Sequence, residues 1–525
     1  MPALRTSLPA LAVLVSITAA CGVRSNVEPA RSEPVASGSS PAVPRAPDAE
    51  AAIGTVHVRL LAFNDFHGQL KPPTGRVPKV DDPVGGAAYF AAHVKKLSEG
   101  SPNTLVVAAG DLIGASPLSS ALFHDEPTID VMNAIGLRVT ALGNHELDEG
   151  YAELVRMQKG GCHPKDGCKL GPTFTGARFD YLGANVTHEA TRAPALPSYV
   201  IREVGGIPIA FVGMPLEGTR QMVTPEGVAG LAFADEVKTA NALVPEIRAK
   251  GVEAMVLLIH QGGETRSPGL EECNDFQGPI VKIVEQLDPA FDAVVSGHTH
   301  QLYNCKVAGR PVTSASSLGR VITTLDLDID PKTKDVVRIE AHNHAVTHDL
   351  PPDPTVLAIV DKAAAAAAPL ENRVVGRIDA SLTANPHHLE STLGNVIADA
   401  HLEATRKAGA KVALMNAGGI RADLLFPKSG EEATDGLVTY GEVFAVQPFG
   451  NHLVTFTISG ADLASYLERN LRGDGGTFVS AGLVVRYDAS ASKRVSGLEL
   501  DGKALAPTAS VRVTTNSFLA ERDAI

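Results

Sequence analysis

The ten residues VTALGNHELD, Val139–Asp148, run from an apolar segment through one glycine into a group of polar side chains. That group contains Asn144, His145, Glu146 and Asp148. A carboxamide, an imidazole and a carboxylate at this spacing offer a metal ligand, a proton donor and a group that orients the imidazole. The stretch therefore indicates an active-site loop. Taken by itself, it also fits a capped loop that carries one solvated histidine.

Four other apolar runs end in residues of the same types. They are VHVRLLAF before Asn64, Asp65 and His67; TLVVAA before Gly110 and Asp111; AMVLLI before His260; and DAVVS before Gly297, His298 and His300. Helical patterns lie between the runs, at residues 85–97, 130–135 and 153–157. The alternation predicts a layered α/β domain, and in such domains ligands bind beyond the carboxyl ends of the strands.

The donor atoms at these five strand ends suit divalent cations. Seven side chains qualify: Asp65, His67, Asp111, Asn144, His260, His298 and His300. Oxygen and nitrogen ligands without a thiolate favour ions such as Zn²⁺, Mn²⁺ or Co²⁺. If one aspartate is shared, the set forms two sites, and two ions roughly 3.5 to 4 Å apart activate a bridging water and hold a phosphoryl oxygen. Each histidine taken singly also fits a packed or surface role, so the prediction of two metal ions rests on the joint arrangement.

Together these motifs resemble the calcineurin-like metallophosphatases, and among them the 5′-nucleotidase family of the bacterial bifunctional type. The motifs are NDFHG at 64–68, GD at 110–111, GNHELD at 143–148, His260 after its strand, and GHTH at 297–300. The resemblance implies one ion on Asp65, His67, Asp111 and His300 and a second on Asp111, Asn144, His260 and His298, with Asp111 bridging. His145, oriented by Asp148, would be the catalytic dyad, because a nearby imidazolium stabilises a departing alkoxide.

The resemblance covers nearly all of the mature chain and implies an α/β fold. We expect an N-terminal layered metallophosphatase domain, with two sheets flanked by helices, over residues 53–348. A linker helix would follow over residues 349–373, and a smaller α/β substrate-binding domain over residues 374–525. Thr355–Ala368 contains six consecutive alanines, the strongest helix former. A terminal helix packed on the first domain is the alternative for this segment.

Residues 1–21 have the features of a signal peptide. Arg5 precedes the apolar run Leu8–Ala20, which is shorter than the roughly 20 residues that span a bilayer. Thr18–Gly22 resembles a bacterial lipoprotein cleavage site with Cys21 as the lipidated residue, and secretion with cleavage near Ala20 is the alternative. Residues 22–52 are rich in Ser, Pro, Ala and Gly and predict a disordered tether. We therefore expect a periplasmic or cell-surface protein that reaches the membrane only through a lipid anchor.

The remaining cysteines predict disulfides. Without Cys21, four of the five cysteines are left, an even number in an oxidising compartment. We expect Cys162 to pair with Cys168 across a short polar loop, and Cys273 with Cys305. A zinc site is the alternative, although the spacing CHPKDGC differs from a CxxC knuckle.

The C-terminal region begins with a predicted strand near Val374 and a helix over Glu390–Thr405. The apolar face of that helix would contain Leu393, Val396, Ile397, Ala400 and Leu402. The following segment VALMNAGGIRADL carries glycines that let the backbone approach a ligand and an arginine that can bind an anionic group.

By the resemblance, this region binds the substrate. Its candidate residues are Asn416, Gly418, Gly419, Arg421, Phe449, Asn451 and Phe518. The two phenylalanines would sandwich a nucleobase, since a π face on each side holds any base, and a core role is the alternative for either. Two departures from the family predict weak nucleotide binding. His387 stands where an arginine is common, and Glu521, Arg522 and Asp523 follow Phe518 where the family has a glycine pair and a ribose-binding aspartate, so this end looks truncated or diverged.

Charge and motifs together define the functional hypothesis. The chain has 46 basic and 59 acidic residues, and its net charge of -13 repels polyanions, which disfavours a nucleic-acid polymer as partner. We expect an extracytoplasmic hydrolase that releases phosphate from nucleoside 5′-phosphates by attack of a metal-activated water. The alternatives with the same metal signature are a 2′,3′-cyclic-nucleotide phosphodiesterase with 3′-nucleotidase activity and a nucleotide-sugar or polyphosphate-nucleotide hydrolase. A non-enzymatic surface binding protein is a third class.

Overall fold

The computed structural model describes residues 54–384, 390–428, 430, 432–471, 476–488 and 490–522. The predicted signal peptide, Cys21, the tether, His387 and Asp523 lie outside these residues. Among the helices that are described, none has both the length and the apolar character that crossing a membrane requires.

The elements alternate between strand and helix along the first part of the chain. In order they are β1 (Val56–Phe63), α1 (Ala87–Ser98), β2 (Thr104–Ala108), α2 (Leu118–Ala121), α3 (Glu126–Ala134), β3 (Leu137–Ala141), α4 (Tyr151–Lys159), β4 (Asp180–Leu182), β5 (Val186–His188), β6 (Tyr199–Val204), β7 (Ile207–Pro215), β8 (Leu231–Phe233), α5 (Glu236–Ala249), β9 (Ala254–His260), α6 (Pro279–Gln286), β10 (Ala293–Ser296), β11 (Leu302–Val307), β12 (Arg310–Ala315), β13 (Val321–Ile329), β14 (Val336–Ala345) and α7 (Pro354–Glu371). The five predicted strands are thus β1, β2, β3, β9 and β10.

The second part contains smaller sheets. Its elements are β15 (Val374–Arg377), α8 (Thr392–Thr405), β16 (Val412–Asn416), β17 (Leu437–Thr439), α9 (Tyr440–Val446), β18 (Leu453–Ser459), α10 (Gly460–Asn470), β19 (Thr477–Val479), β20 (Leu483–Tyr487), β21 (Val495–Leu500), β22 (Lys503–Ala504), β23 (Ser510–Asn516) and α11 (Ser517–Arg522). The sheet that matters for the cavity described below has the order β18-β23-β16-β19.

Two six-stranded sheets form the first part, as predicted. Their orders are β14-β13-β1-β2-β3-β4 and β11-β12-β10-β9-β7-β6. β1 to β4 pair in parallel, as do β7, β9, β10 and β12. Both faces of β1 are buried, because Leu60 and Ala62 pack between the sheets while Leu61 and Phe63 pack beneath the helices. The layered α/β prediction is therefore confirmed.

The helix predicted between the two regions is α7. The Asp353 carboxylate caps it by accepting hydrogen bonds from the backbone N–H groups of Thr355 (2.9 Å) and Val356 (3.0 Å). One stripe of the helix, which includes Val356 and Ala363, is buried in the core beneath the first sheet. At its end, Glu371 accepts hydrogen bonds from Lys71 Nζ at 2.9 and 3.0 Å. The segment thus packs on the first region along its length, as the alternative for it anticipated, and it lies between the two regions for which we propose domain boundaries.

The predicted buried face of α8 is wrong in part. Leu393 and Ile397 are buried as expected, but Val396 is 47% exposed and Ala400 is exposed. The helix instead buries a row that contains Gly394 and Ala398. A Cβ at Gly394 would lie 2.3 Å from the Phe478 ring, so the absence of a side chain lets the helix approach β19 on that side. Small residues carry less hydropathic signal than Val396 and hid this face in the sequence pattern.

Both predicted disulfides are present. Cys162 is bonded to Cys168, and Cys273 is bonded to Cys305. The first closes the short loop after α4, and the second joins β11 to the loop after β9. The zinc alternative for these four cysteines is therefore wrong.

Candidate metal centre and substrate cavity

The five predicted strands end at one place in the structure. β1, β2 and β3 come from the first sheet and β9 and β10 from the second, and the loops that follow them meet where the two sheets pack together. All seven candidate ligands lie there: Asp65, His67, Asp111, Asn144 and His260 are buried, and His298 and His300 are half-buried. The packing of two sheets thus brings together side chains from positions 65 to 300.

The first group of ligand atoms surrounds Asp65. His300 Nε2 lies 3.3 Å from Asp65 Oδ1, and His67 Nε2 lies 3.8 Å from the same oxygen. The two imidazole nitrogens of His67 and His300 are 3.0 Å apart. His67 Nε2 is also 3.7 Å from Asp111 Oδ2, which connects this group to the second one.

The second group surrounds Asn144. Its carboxamide oxygen lies 3.2 Å from His260 Nε2 and 3.1 Å from His298 Nδ1. His260 Nε2 is 3.0 Å from Asp111 Oδ2. One oxygen of Asp111 therefore faces both groups, which is the arrangement expected of a ligand shared by two ions.

The hydrogen bonds behind these histidines show that the ligand atoms fit cations. His67 Nδ1 lies 2.9 Å from the Gly114 carbonyl oxygen and His260 Nδ1 lies 2.8 Å from that of Ala109. Since a carbonyl only accepts, we infer that each Nδ1 carries a proton, which leaves Nε2 as the atom that can bind a cation once it is deprotonated. In both groups, these Nε2 atoms lie close to the other ligand atoms. Divalent cations would satisfy them, and three of the histidine and carboxylate sets that could hold an ion fall here.

The electrostatics of His260 agree with this conclusion. Burial lowers the pKa of its imidazole, but the Asp111 and Asp65 carboxylates outweigh burial and raise the pKa to about 10. The buried carboxylates of Asp65 and Asp111 therefore stabilise a positive charge placed between them. A proton supplies it in the bare protein, and a metal ion supplies it more effectively.

Most of the candidate ligands have a left-handed backbone. The φ angles are 50° at Asp65, 49° at His67, 50° at Asp111, 73° at His298 and 55° at His300. Such conformations cost about 1 to 3 kcal/mol each for residues other than glycine, and they persist where surrounding bonds impose them. Here the N–H of His298 donates to Asp65 Oδ2 at 2.9 Å, and the N–H of His67 donates to the Asp111 carbonyl at 3.0 Å. The ligand loops hold one another in place.

The two residues of the predicted dyad are in contact in the structure. His145 begins a short 3-10 turn after β3, and its Nδ1 lies 2.8 Å from Asp148 Oδ2. Burial lowers the pKa of His145, but Asp148 and then Asp111 raise it above its usual value. Because cations would cancel the charge of Asp111, Asp148 is the partner that can keep this imidazole protonated. Its Nε2 is then the atom left for a substrate.

Gly114 provides a test of the dyad geometry. Its φ is +78°, and a Cβ there would lie 2.8 Å from His145 Cβ and 2.9 Å from Asp148 Oδ2. We expect Gly114→Ala to lower kcat by about tenfold to a hundredfold, because displacing reacting groups by an ångström has that effect. Gly136→Ala is the matched control, since Gly136 also has a φ of +78° but no atom within 4 Å of the place that a Cβ would take. Equal losses in the two variants would assign the effect to backbone strain.

Glu146 is a residue whose role the sequence did not reveal. Its buried carboxylate accepts hydrogen bonds from three backbone N–H groups: Asp111 at 3.0 Å, Leu112 at 2.7 Å and Gly143 at 2.7 Å. It therefore clamps the loop after β2 to the loop after β3. The sequence indicated Glu146 only through its position in GNHELD, next to predicted functional residues. Its partners on the loop after β2 lie more than 30 residues away in the chain, so only the fold shows them.

We expect Glu146→Gln to weaken metal binding about tenfold to a hundredfold, the usual effect of losing a group that orients a ligand. The amide keeps an acceptor for two of the N–H groups and turns its own N–H₂ towards the third. Equilibrium dialysis with Mn²⁺ measures the affinity directly. Glu217→Gln removes the same charge from an exposed site and should bind Mn²⁺ like the original chain. Unchanged affinity in Glu146→Gln would show that the clamp does not act on the ligands.

The candidate substrate residues face the dyad across one cavity of about 1480 Å³. His145, Asp148, His298 and His300 line one side of it. All seven predicted substrate residues line it too: Asn416, Gly418, Gly419, Arg421, Phe449, Asn451 and Phe518. Arg421 Nη2 lies 3.4 Å from His67 Nε2, and the Phe449 ring lies 6.0 Å from the His145 ring between centroids. The two regions of the chain thus contribute to a single site.

Comparison with known proteins agrees with this arrangement. The family described as calcineurin-like phosphoesterase matches residues 58–302, and the family described as 5′-nucleotidase, C-terminal domain, matches residues 374–524. Endonuclease YhcR of Bacillus subtilis is 34% identical over 472 residues, which cover 89% of this chain and 37% of that protein. Cell wall protein Lmo0130 of Listeria monocytogenes is 30% identical over 512 residues, covering 90% of this chain and 64% of that protein. The chain therefore spans less than two thirds of the length of either relative.

A solved structure shares the fold across both regions. The 5′-nucleotidase precursor from Thermus thermophilus superposes with a TM-score of 0.73 at 27% identity. The alignment covers 89% of this chain and 90% of that one.

Proposed function

Because the chain belongs to the 5′-nucleotidase family, with a calcineurin-like phosphoesterase region followed by a 5′-nucleotidase C-terminal region, we propose that it is a metal-dependent hydrolase of nucleoside 5′-monophosphates. The products are a nucleoside and inorganic phosphate. One observation carries the proposal: the metal-ligand cluster and the candidate nucleotide-binding side chains open into the same cavity. A binding protein without turnover would not need the His145–Asp148 pair beside that cluster.

The residues of the chain divide the work of the reaction. Two divalent cations, when bound by the two ligand groups that share Asp111, supply Lewis acids that polarise phosphoryl oxygens and lower the pKa of a water. Arg421, beside His67, is placed to bind a phosphate oxygen. His145 donates its Nε2 proton to the departing 5′ oxygen as the P–O bond breaks, and Asp148 holds the imidazole in that orientation.

A phosphate-release panel tests the proposal. The full chain, loaded in turn with Mn²⁺, Co²⁺ or Zn²⁺, is assayed with nucleoside 5′-monophosphates, di- and triphosphates, a nucleotide sugar and an aryl phosphate. We expect metal-dependent release from the monophosphates that a chelator abolishes and added metal restores. Hydrolysis of the aryl phosphate without any nucleotide turnover would contradict the substrate class and leave the phosphatase chemistry intact.

A second candidate is phosphodiester hydrolysis. The 34% identity with a protein named an endonuclease favours it, whereas the net charge of -13 opposes binding of a polyanion. The same panel should therefore include 2′,3′-cyclic nucleotides and single-stranded DNA. Our expectation remains that DNA is not cleaved, and cleavage that persists at physiological salt would overturn it.

We also propose an extracytoplasmic location with a lipid anchor on Cys21. The similarity to a cell wall protein and to 5′-nucleotidases supports a surface location, and Thr18–Gly22 supports the anchor. Cys21→Ser should move the protein from the membrane fraction to the soluble extracytoplasmic fraction, because a lipid anchor would be its membrane attachment. Immunoblots of the separated fractions measure this, and equal partition of the two forms would reject lipidation.

A further inference from the structure

A fourth group of histidine and carboxylate side chains lies apart from the metal centre. It contains His124, between α2 and α3, Glu149, which follows the dyad, and His163, in the loop that the Cys162–Cys168 disulfide closes. One ligand atom from each side chain lies within 4.8 Å of the other two. His124 and Glu149 also line the cavity, and Glu149 is exposed. The group thus lies where the cavity wall reaches the surface.

The hydrogen bonds of His124 show that this place holds a positive charge. Its Nδ1 lies 2.8 Å from Glu149 Oε2, and its Nε2 lies 3.0 Å from Asp166 Oδ2. Ionised carboxylates only accept hydrogen bonds, so both ring nitrogens carry protons in this arrangement. The hydrogen bond to Glu149 raises the pKa of the imidazole above its usual value, although burial opposes the rise. The two carboxylates therefore stabilise a cation between them.

A divalent ion can take the place of the proton between His124 and Glu149. Once Nδ1 gives up its proton to solvent, its lone pair points towards the Glu149 oxygen along the line of the present hydrogen bond. Two ligand atoms of one tetrahedral zinc ion lie about 3.3 Å apart, given bond lengths of about 2.0 to 2.1 Å. The 2.8 Å pair must therefore open by about half an ångström. Glu149 can make this movement because its side chain is 47% exposed.

Asp166 is placed to orient His124 for the ion. His124 Nε2–H keeps its hydrogen bond to this carboxylate when Nδ1 binds a metal, and such a partner fixes the tautomer and the direction of the ring. Lys169 Nζ lies 3.2 Å from the same oxygen of Asp166. Because that oxygen already has two donors, Asp166 acts as the acceptor behind His124 and not as a ligand.

His163 supplies the third ligand. Its ring is stacked on that of His124, with the centroids 3.7 Å apart, and its Nδ1 accepts the backbone N–H of Asp166 at 3.1 Å. Parallel rings cannot both aim their lone pairs at one ion, so His163 must turn about its side-chain bonds. The hydrogen bond that it gives up is exposed, and water replaces it at little cost. The disulfide between Cys162 and Cys168 keeps the backbone of His163 near the site.

We propose that His124, Glu149 and His163 form a third divalent-cation site, separate from the two proposed catalytic sites, with Asp166 as the positioning residue. Two imidazoles and one carboxylate, without a thiolate, suit Zn²⁺ or Co²⁺, and a water completes four ligands. The bound ion joins three loops and fastens the disulfide loop to the wall of the cavity. With only three ligands from the protein, the site fills at higher free Zn²⁺ than the catalytic ones.

Metal counting tests the third site. The full chain is dialysed against increasing free Zn²⁺ at mildly alkaline pH, where protons compete less for His124, and bound zinc is measured by atomic absorption. We expect the original chain to bind one more ion than either His124→Asn or His163→Ala. Asparagine is used because His124 has a φ of 53°, which asparagine tolerates. Equal counts in the three proteins would overturn the proposal, whatever number the catalytic groups bind.

His57→Ala is the matched control for adventitious surface binding. His57 also lies between two carboxylates, at 3.3 Å from Asp326 and 3.1 Å from Asp328. Among the residues that the structure describes, however, it belongs to no group of three ligands. The control should bind as many ions as the original chain. If it loses an ion as the other variants do, zinc binds exposed histidines in general and the proposal is wrong.

Asp166→Asn tests the positioning role. The amide keeps the size of the side chain but loses the charge that orients His124 and makes its imidazole more basic. We expect the third ion to bind about tenfold more weakly, with the affinity for the catalytic ions unchanged. A merely structural role would change the affinity for all the ions or for none. Either of those results would refute the role of Asp166.

Discussion

Asp111→Asn should reduce phosphate release by roughly a thousandfold or more, since it weakens two Lewis acids that each contribute several kcal/mol. Asp111 Oδ2 faces both ligand groups, 3.0 Å from His260 Nε2 and 3.7 Å from His67 Nε2. The other oxygen accepts the N–H of His145 at 2.9 Å. An asparagine would keep that second bond with its own oxygen, which turns its N–H₂ group to the place where the ligands converge. An amide nitrogen there cannot bind a cation.

The comparison variant is His300→Ala, which removes a ligand from one group only. Metal analysis after gel filtration should find both ions reduced in Asp111→Asn and one ion retained in His300→Ala. Asp361→Asn, an exposed position on α7, controls for the change of charge. Near-normal turnover in Asp111→Asn together with a large loss in His300→Ala would mean that Asp111 does not bridge.

His145→Ala should lower kcat for nucleoside monophosphates by about a hundredfold or more, the contribution typical of a positioned proton donor. The 5′ oxygen of a nucleoside leaves as a poorly stabilised alkoxide, so it needs the proton. The leaving group of a nitrophenyl phosphate departs as a stable phenolate and therefore needs the proton less. The measurement compares the decrease in kcat on the two substrates, and we expect the decrease to be about tenfold larger for the nucleotide.

The ratio separates catalysis from structure. Metal content should be retained in His145→Ala, since His145 belongs to neither proposed ligand group, although its backbone N–H contacts Asp111. Asp148→Asn should show the same substrate dependence to a smaller extent, because the imidazole remains but loses its orienting charge. Equal losses on both substrates, with reduced metal content, would assign His145 to the metal centre instead.

The pattern of apolar runs and polar ends was sufficient to predict the fold class and the location of the candidate site. Each of the five strands could be predicted because apolar runs of this length, bounded by polar residues or glycine, are typical of buried strands and too short for most helices. The meeting of their ends follows from a general property of parallel sheets, whose carboxyl ends share an edge. The disulfide pairs could also be predicted, because four cysteines allow only three sets of two bridges and one of these sets closes the short loop from Cys162 to Cys168.

The local sequence pattern did not predict features that depend on small residues or on partners far away in the chain. The buried face of α8 includes Gly394, which a hydropathy pattern does not mark as apolar, and the close contact with Phe478 decides the matter. In the sequence, Glu146 is one polar residue among several in a predicted active-site loop. Its role depends on the backbone N–H of Asp111, which only the fold places beside its carboxylate.

The sequence by itself thus determined the two-sheet architecture and the residue types that follow each strand, from which the ligands and the dyad were predicted, because these depend on residue type and short-range order. Only the tertiary structure decided how the candidate ligands group around one oxygen of Asp111, why five of them adopt a left-handed backbone, and which backbone groups the Glu146 carboxylate holds. In each case the deciding hydrogen bond or contact joins residues 30 or more positions apart. Such contacts exist only when the packing of sheets and helices closes the distance, and no local pattern of residues encodes their direction.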